Sequence, residues 1–576
     1  MTVIHPQLDL PLLSPESNLQ QIVDALANRV FENRPSGFAL VVGEEGRLVG
    51  VVTDADLRKY VANWGKLPLS AESVMNREFV WAGHGLTQPE IAKVVGTQIT
   101  SKGWGTDFPV RFVPLLDSNF VPKSVIDLMD LEIELKKLRD KIVVVGLGYV
   151  GLTVALALAK EGIQVAALDV SEEKIQMLKS GISPIFEPDI NDLIKSLVGN
   201  GLDFFSKLND LPSKISTPTT YLLCLPTPLD PETMSLSSRI LDEFVANLIP
   251  TLRQGDSIVM RSTVPIGTGD KMIRQIESQR NWVVGSDFYY AHAPERTVEG
   301  NALREIHDLP QIVGGATPYC TSRLSEFFER ICTVIVPVSS VISAEMVKVA
   351  GNGFRDHIFA FSNQLAEIAR EFNIDVNEVI EKSNLGYNRS FIPYPSPGVG
   401  GPCLSKDSYL LKSKKTATSP AEASRIYNEG VPEQVVEYVL RHTAESKNLS
   451  AIVIGLAFKG EPPTNDLRES SNIIIADLLD SHFKDLARVD AVVDPSLLKK
   501  GISVDDLQQE CDFDFIGILN NHHENPKILY KLLANRAKNQ KLHIFDPWRM
   551  IDPNYVKGFD TVNSLVYLTM STVRKF

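Results

Sequence analysis

Lys141-Ile-Val-Val-Val-Gly-Leu-Gly-Tyr-Val-Gly151 is an apolar run that ends in three glycines spaced Gly-x-Gly-x-x-Gly. A small-residue stretch follows, and a second apolar run at residues 163–168 ends at Asp169, 18 residues after Gly151. A glycine fingerprint alone is weak evidence, but strand, turn, helix, strand and terminal acid together are typical of a Rossmann βαβ unit. The stretch predicts a dinucleotide-binding domain at residues 141–338.

The glycine turn also predicts how a cofactor binds. Unpaired N–H groups and the helix dipole at a helix N-terminus favour an anion such as a pyrophosphate. The carboxylate of Asp169 is suited to a ribose diol and repels a 2′-phosphate, so NAD is favoured over NADP. The predicted residues of the turn are Gly146, Gly148, Tyr149, Val150 and Gly151.

Three later strands end in polar side chains. They close with Leu-Pro-Thr227-Pro, Ser-Thr263-Val-Pro and Ala-Pro-Glu295-Arg. Ligands bind outside the carboxyl ends of strands in an open α/β sheet, so we expect these three side chains to converge beside the nicotinamide. The prolines alone are also explained as strand stops.

Residues 442–576 return to an α/β pattern without a second Gly-x-Gly-x-x-Gly. We expect another doubly wound domain that binds a different ligand, with Lys459 and Arg468 as candidate phosphate contacts. Strands are predicted at residues 489–494, 513–519 and 542–546, and a helix at residues 471–479.

A helical segment, residues 339–441, lies between the two α/β domains. Lys348 and Asn352 are four residues apart and share a helix face, although such residues are most often solvated surface. Cys403 follows on the turn Pro-Gly-Val-Gly-Gly-Pro-Cys-Leu-Ser-Lys-Asp. A thiolate is a strong nucleophile, but a cysteine in a glycine turn also serves as a small packed residue. The residue types leave both explanations open.

Residues 1–133 contain a loose internal repeat. One copy is a predicted hairpin followed by Thr53-x-x-Asp56 at a helix start, and a weaker copy leads to Ser124-x-x-Asp127. The arrangement resembles a pair of CBS motifs, the Bateman module, which implies an α+β domain with a candidate adenine-nucleotide site at these residues. Helix capping alone would account for the same pattern. The charged stretch at residues 132–140 is predicted to be a helical connector.

The composition argues against several classes of protein. A formal net charge of −13 over 576 residues disfavours nonspecific binding to nucleic acid or anionic membranes. The N-terminus lacks the features of a signal peptide, and no apolar run approaches the roughly 20 residues that span a bilayer. Five scattered cysteines argue against disulfide and zinc sites. We expect a cytoplasmic protein in a reducing compartment, without a metal.

The motifs of residues 141–570 resemble those of the UDP-glucose/GDP-mannose dehydrogenase family. The series, in order, is Gly-x-Gly-x-x-Gly, Leu-Pro-Thr-Pro, Ser-Thr-Val-Pro, Ala-Pro-Glu-Arg, Lys-x-x-x-Asn, Gly-Gly-Pro-Cys-x-x-Lys-Asp and Ala-Phe-Lys…Asp-x-Arg-Glu-Ser. The resemblance implies two Rossmann-like domains joined by a helical dimerisation segment, in a homodimer or higher homo-oligomer. It also implies oxidation of the C6 hydroxymethyl of a nucleotide sugar to a carboxylate, with two NAD⁺ consumed.

The resemblance assigns catalytic roles as well. Cys403 matches the family nucleophile, which adds to the intermediate aldehyde, gives up a second hydride as a thiohemiacetal and leaves a thioester for hydrolysis. Lys348 and Asn352 match the pair that stabilises oxyanions. Asp407 matches the acid that, with Thr263, orients or activates water.

Further assignments concern a base, the cofactor and the substrate. Glu295 matches a carboxylate that acts as a base in hydrolysis, while the group that deprotonates the alcohol first is left open. Arg389 matches an arginine donated across a dimer interface, at a different spacing from Cys403 than the family's. The cofactor residues implied beyond the glycine turn and Asp169 are Thr227, Ser262, Thr263, Glu299 and Arg468. The substrate residues implied are Glu295, Lys348, Asn352, Arg389, Tyr394, Gly398, Gly400 and Lys459.

The substrate signals are mixed. Pro-Glu295-Arg and the turn before Cys403 resemble the UDP-N-acetylhexosamine branch, whereas Glu299 resembles the UDP-glucose branch. We expect UDP-N-acetylmannosamine or UDP-N-acetylglucosamine, with UDP-glucose as the alternative. A β-hydroxyacid-type dehydrogenase and a nucleotide sensor on an inactive scaffold are the rival classes.

Overall fold

The computed structural model describes residues 10–27, 37–64, 67–68, 70–86, 91, 94–95, 98, 112–127, 141–211, 218–230, 235–411, 419–443, 446–508, 512–536 and 540–576. The chain divides into two compact units, Met1–Asp140 and Lys141–Phe576. The predicted connector at residues 132–140 lies outside the described residues. No helix among the described ranges is long and apolar enough to cross a membrane.

The first unit contains the same small sheet twice. Its elements are β1 Leu12–Leu13, α1 Leu19–Ala27, β2 Phe38–Val42, β3 Leu48–Thr53, α2 Asp54–Trp64, α3 Ala71–Val74, β4 Ala82–Gly83, β5 Phe112–Leu116 and β6 Pro122–Asp127. The sheets have the orders β1-β2-β3 and β4-β5-β6, each with one parallel and one antiparallel pair. Phe38 pairs with Thr53 and Phe112 with Asp127, and the Phe38 and Phe112 rings lie 5.4 Å apart. The sequence repeat is therefore a structural repeat.

The two copies of the Ser/Thr-x-x-Asp motif differ in structure: Thr53-x-x-Asp56 lies at a helix start, but Ser124-x-x-Asp127 lies in a strand. Because Asp127, not Ser124, is the counterpart of Thr53 in the pairing, Ser124 falls inside β6 opposite Leu115. It is buried there among apolar neighbours. Strand pairing overrides the short capping pattern at this position.

The second unit begins with an eight-stranded sheet of order β16-β15-β14-β13-β10-β7-β8-β9. All neighbours in it are parallel except β14 and β15. The order reverses between β7 and β10, which is where an open parallel sheet of this kind binds ligands. Its strands are β7 Lys141–Val145, β8 Val165–Leu168, β9 Leu202–Phe205, β10 Thr219–Leu223, β13 Ser257–Met260, β14 Tyr289–His292, β15 Gln311–Gly315 and β16 Ile335–Pro337. The helices between them are α4 Tyr149–Lys160, α5 Glu172–Lys179, α6 Ile190–Leu197, α7 Arg239–Leu248, α8 Thr268–Arg280, α9 Ala302–Asp308 and α10 Pro318–Phe328, and a hairpin is formed by β11 Leu229–Asp230 and β12 Ser235–Leu236.

Four helices are described in the central segment, within residues 341–411 and 419–443. They are α11 Val341–Phe372, α12 Val376–Asn384, the single turn α13 Leu404–Asp407, and α14 Pro420–His442. The 32-residue α11 is capped at its N-terminus by Ser340, whose hydroxyl accepts from Ser343 N–H. Its C-terminal cap is Asn373, in the left-handed region. One helix therefore carries both Lys348 and Asn352 from the first sheet toward the last domain.

The last domain is a six-stranded sheet of order β18-β17-β19-β20-β21-β22, parallel except for its final pair. The prediction of a strand at residues 489–494 is wrong. The strand ends at Val489, because the Asp490 carboxylate accepts from the N–H groups of Val492 and Val493 and closes a turn. Its elements are β17 Ser450–Ile454, α15 Ser471–Asp480, β18 Asp485–Val489, β19 Phe515–Ile518, α16 Asn525–Ala534, β20 Gln540–Phe545, α17 Pro553–Lys557, β21 Val562–Leu568 and β22 Val573–Lys575.

Candidate active site

The glycine turn between β7 and α4 has the geometry that a dinucleotide needs. Gly146 turns the chain with φ +87°, and a Cβ on Gly151 would lie 1.8 Å from the Gly146 carbonyl oxygen, so the helix packs directly on the turn. A Cβ on Gly148 would have no atom within 4 Å. Gly148 also caps α4 without a side-chain hydrogen bond, which leaves backbone donors for a pyrophosphate. The predicted turn residues therefore fit NAD, whose pyrophosphate would lie over Gly148, Tyr149 and Val150.

Asp169 lies at the carboxyl end of β8, beside this turn. Its carboxylate accepts from Leu147 N–H at 2.8 Å and from Lys174 Nζ at 2.9 Å. Burial would raise the pKa of Asp169, but Lys174 and the backbone donors outweigh it and hold the pKa below its usual range. Sequence reasoning missed Lys174, although its position in the first turn of the helix after the acid was a usable signal.

Two strand-end hydroxyls bond to main-chain carbonyls of the neighbouring strand end. Thr227 Oγ1 donates to the carbonyl of Thr263 at 2.7 Å, and Ser262 Oγ donates to the carbonyl of Leu225 at 2.7 Å. These bonds join the ends of β10 and β13 across the switch point. The hydroxyl protons of Thr227 and Ser262 are thus donated to main-chain carbonyls that hold the two strand ends together.

Glu295 is held in a buried ion pair that the sequence did not reveal. One carboxylate oxygen accepts from the guanidinium of Arg261, and the other accepts from the N–H groups of Arg296 and Thr297 at 2.8 and 3.0 Å. Burial would raise the pKa of Glu295, but Arg261 and these amides together lower it. Arg261 also contacts Gln311 and lies 5.2 Å over the Phe328 ring. Glu295 is therefore a fixed anion at the strand ends.

Glu299, four residues later, has the opposite environment. Burial, and next the nearby Asp466, raise the pKa of Glu299 to about 7. Thr464 Oγ1 and Arg468 Nη2 each donate to its carboxylate at 3.4 Å, while Lys459 Nζ donates to its main-chain carbonyl. Burial lowers the pKa of Lys459 to about 8. The strand-end loop thus meets the last domain through polar contacts.

Tyr149 connects the glycine turn to this same loop. Its hydroxyl donates to the Phe186 carbonyl at 3.3 Å and accepts from the Gly300 N–H, the residue after Glu299. The Gly300 N–H also donates to the buried carboxylate of Glu187. The cofactor turn and the Glu299 loop are therefore joined by hydrogen bonds.

Cys403 is the N-cap residue of α13 and is exposed as a residue, but protein atoms surround its thiol on several sides. Asn352 Nδ2 donates to the Asp407 carboxylate at 2.7 Å in the interior, and Lys406 Nζ pairs with the other Asp407 oxygen at 2.9 Å. Burial raises the pKa of the Cys403 thiol, and the charge of Lys348 opposes that rise. The charges of Lys348 and Asp407 thus act on the Cys403 thiol, and Asn352 binds the Asp407 carboxylate.

The glycine-rich turn before Cys403 packs directly on the last domain. A Cβ on Gly400 would lie 2.3 Å from the Glu469 carbonyl oxygen, and the Gly401 N–H donates to that oxygen at 2.9 Å. A Cβ on Gly398 would lie 2.4 Å from Ser471 Cβ. The glycines permit the close approach that places the thiol at the junction of the two domains.

Tyr394 and Arg389 lie apart from this cluster. Tyr394 is exposed, and Arg389 lies on an exposed loop with its guanidinium 5.8 Å from the Tyr387 ring centroid. Within the parts of the chain that the structure describes, neither side chain hydrogen-bonds to the Cys403 turn.

In the first unit, Thr53 and Asp56 form a capping box with each other. Thr53 Oγ1 donates to Asp56 at 2.7 Å, and the Asp56 N–H donates back to Thr53 Oγ1 at 3.2 Å. Ser124 is buried in β6, and the Asp127 side chain lies outside the described residues. The adenine-nucleotide site stays a prediction, which titration of the purified chain with AMP, ADP and ATP would test.

Comparison with known proteins identifies the family. The model of the UDP-glucose/GDP-mannose dehydrogenase family NAD-binding domain matches residues 140–332, and that of its central domain matches residues 342–428. The UDP-N-acetyl-D-mannosamine dehydrogenase of Pyrococcus horikoshii is 31% identical over 358 residues, which cover 61% of this chain and 84% of that protein. The chain belongs to the UDP-glucose/GDP-mannose dehydrogenase family. It is an NAD-dependent nucleotide-sugar dehydrogenase with a CBS domain, matched at residues 4–63, at its N-terminus.

Two further family comparisons agree with this assignment. An NDP-N-acetyl-D-galactosaminuronic acid dehydrogenase of Ralstonia nicotianae is 31% identical over 341 residues, covering 58% of this chain and 78% of that protein. A solved structure of the UDP-D-ManNAc dehydrogenase from Pyrococcus horikoshii superimposes with a TM-score of 0.64 at 26% identity, covering 75% of this chain and 99% of that one. These comparisons confirm the predicted α/β architecture and NAD as the cofactor.

Two glycine substitutions should separate the fold from cofactor binding. Gly151→Ala should lower the free energy of unfolding by about 1–3 kcal/mol, because its Cβ would collide with the Gly146 carbonyl. Gly148→Ala should leave stability nearly unchanged and weaken NAD binding, because its Cβ would enter the space open to the pyrophosphate. Thermal unfolding and NAD titration of both variants check this. Equal effects of the two variants on stability would contradict it.

Proposed function

We propose that this dehydrogenase oxidises C6 of a UDP-N-acetylhexosamine to the uronate, with UDP-N-acetylmannosamine as the first choice and UDP-N-acetylglucosamine as the second. The cluster of Cys403, Lys348, Asn352 and Asp407 carries the reaction type. The choice of sugar is supported by the names of the relatives and by the Pro-Glu295-Arg sequence.

In the proposed mechanism, the glycine turn at Gly146, Gly148 and Gly151 would hold NAD⁺, which would supply the hydride acceptor for each of two oxidations. The first oxidation removes a hydride from C6 and the proton of its hydroxyl, and leaves the aldehyde. The ammonium of Lys348 and the amide of Asn352 stabilise negative charge on the substrate oxygen. The Cys403 sulfur bonds to the aldehyde carbon as the thiol proton passes to a base and the carbonyl electron pair moves onto the oxygen, which gives a thiohemiacetal in its alkoxide form. Loss of the second hydride from that carbon leaves a thioester. Water then breaks the carbon–sulfur bond, which releases the uronate and restores the thiol.

Glu299 is the better proposed base for hydrolysis than Glu295. Glu295 accepts hydrogen bonds on both oxygens and its pKa is lowered, so it has little tendency to take a proton. Glu299 has a pKa raised to about 7 and contributes to the charge felt by the Cys403 thiol. A group with that pKa can accept and return a proton near neutrality.

Product stoichiometry tests the proposed function. Purified enzyme should form two NADH per uronate with UDP-N-acetylmannosamine or UDP-N-acetylglucosamine. The rate of NADH formation should be lower with UDP-glucose, the galacto epimers or GDP-mannose. Cys403→Ser should keep NAD binding and lower uronate formation on the order of a thousandfold. One NADH with release of an aldehyde or ketone would contradict the proposal. No NADH with any sugar, together with tight adenine-nucleotide binding, would favour the sensor instead.

The pH dependence of thioester hydrolysis should report Glu299. Because the deprotonated carboxylate is the base and its pKa is about 7, the hydrolysis rate should rise as the pH increases through that value. Single-turnover measurement of uronate release should show Glu299→Gln slower and without this inflection. Glu295→Gln serves as the comparator, and the inflection should stay in place. An inflection that persists in Glu299→Gln would rule Glu299 out.

We further propose that the protein works as a homodimer through α11 and the loop after α12. Val347, Phe354, Phe361 and Ile368 are exposed apolar residues spaced by seven along α11, so they share one helix face. The loop between Asn384 and Ile392, closed by two hydrogen bonds at 2.8 and 2.9 Å, exposes further apolar side chains around Arg389. They are Leu385, Tyr387 and Phe391, exposed to 74%, 48% and 72%. A second copy of this chain would cover both surfaces and receive Arg389 at its active site.

Mixed dimers test the transfer of Arg389. Arg389→Ala and Cys403→Ser should each be inactive alone, because one lacks the arginine and the other the thiol. Mixing the two after reversible dissociation should restore about a quarter of wild-type activity, since half of the dimers are mixed and each has one intact site. No recovery, despite exchange confirmed by differently tagged subunits, would place Arg389 in its own chain's site or outside catalysis.

A further inference from the structure

Arg425 and Asp356 form an ion pair in the interior of the central segment. Arg425 on α14 is 2% exposed and Asp356 on α11 is 0% exposed, and Arg425 Nη1 lies 3.0 Å from Asp356 Oδ1. Asp356 follows Lys348 and Asn352 at intervals of four residues, so all three share a face of α11. The ion pair therefore extends the row that carries the proposed oxyanion-stabilising side chains.

The guanidinium of Arg425 also reaches the Cys403 turn at two points. Nη2 donates to the Val399 carbonyl at 3.0 Å, and Nη1 donates to the Leu404 carbonyl at 3.4 Å. These carbonyls lie on either side of residues 400–403. A planar guanidinium presents its N–H groups in fixed directions, so a single side chain sets both ends of the segment that holds the thiol.

Asp356 fixes the residues after the turn. Its second oxygen accepts from Ser408 Oγ at 2.9 Å, directly after Asp407. Asn428 Nδ2 donates to Asp356 Oδ1 at 2.8 Å and to the Asp356 carbonyl at 2.9 Å. The two long helices and the Cys403 turn are thus joined in one buried hydrogen-bond network.

The bonds to the turn separate this arrangement from a simple core ion pair. Replacing a buried ion pair by apolar side chains is often neutral for stability, so burial alone gives no reason for Arg425. Three hydrogen bonds of its network end on residues 399, 404 and 408, in the segment that carries Cys403, and not only on the two long helices. Because Cys403 lies between residues 399 and 404, these hydrogen bonds restrict the position of Cys403.

We propose that Arg425, paired with Asp356, is a positioning residue that holds Cys403 beside Lys348. Its catalytic consequence rests on the proposed function, in which Cys403 is the nucleophile. Arg425→Lys keeps the charge but removes the fork that spans the two carbonyls. The thiol then moves away from the Lys348 ammonium, so its thiolate is less stabilised.

Alkylation of Cys403 tests the proposal without substrate. Iodoacetamide labelling of the Cys403 peptide, followed by mass spectrometry across a pH series, should show the midpoint in Arg425→Lys about half a unit to one unit higher than in the wild type. The control is Arg488→Lys, since Arg488 is also a buried arginine, paired at 2.7 Å with the half-exposed Asp477, and it lies on β18 outside the Cys403 turn. It should keep the wild-type midpoint. The same midpoint in Arg425→Lys and wild type would overturn the proposal.

Ser408→Ala gives a second variant that removes only one hydrogen bond of the network. It should move the labelling midpoint in the same direction by less, and it keeps the proposal testable if Arg425→Lys does not fold. In turnover, Arg425→Lys should lower kcat for uronate by about tenfold while the KM for UDP-sugar and the Kd for NAD change less than about twofold. A rise in KM with unchanged kcat would also count against positioning. Because labelling needs no turnover, failure of the proposed reaction would not be confused with failure of this inference.

Discussion

The hydrogen bond from Asn352 to Asp407, 2.7 Å long and shielded from solvent, is the contact on which the site depends. It fixes the long helix α11 to the short turn that begins at Cys403. Since Lys348 lies one helical turn before Asn352, this bond also sets the position of the ammonium relative to the thiol. On its other side, the turn rests on the last domain through the bond from Gly401 to Glu469. Three distant parts of the sequence therefore meet at the turn that carries Cys403.

Two carboxylates on one strand-end loop have opposite electrostatic environments. The pKa of Glu295 is lowered because Arg261 and backbone amides outweigh the effect of burial. The pKa of Glu299 is raised by burial and by Asp466. Pairs of titratable groups whose pKa values are pushed apart are typical of sites that use one as a fixed charge and the other in proton transfer. The loop thus holds two similar side chains in opposite electrostatic environments, and the proposed function uses that difference.

The sequence predicted what depends on local pattern. The glycine turn and Asp169 are close in sequence, and their spacing follows from the geometry of a βαβ unit. The order of motifs indicated Cys403, Lys348 and Asn352 as candidate site residues. Arg261 and Arg425 were missed because their partners, Glu295 and Asp356, are 34 and 69 residues away and nothing local indicates the pairing. The predicted end of β18 was wrong because a side chain stops the strand: the Asp490 carboxylate closes a turn directly after it. Long-range contacts and competition between turn and strand lie beyond a pattern of residue types.

In the proposed reaction, Cys403 becomes acylated during turnover. The most direct measurement is the mass of the protein quenched in acid during reaction with NAD⁺ and UDP-N-acetylmannosamine. We expect an added mass equal to that of the UDP-N-acetylhexosaminuronoyl group, located on the Cys403 peptide. Neutral hydroxylamine should remove it, as it does for a thioester. An enzyme that completes both oxidations with no adduct on Cys403, or with the adduct on another residue, would contradict it.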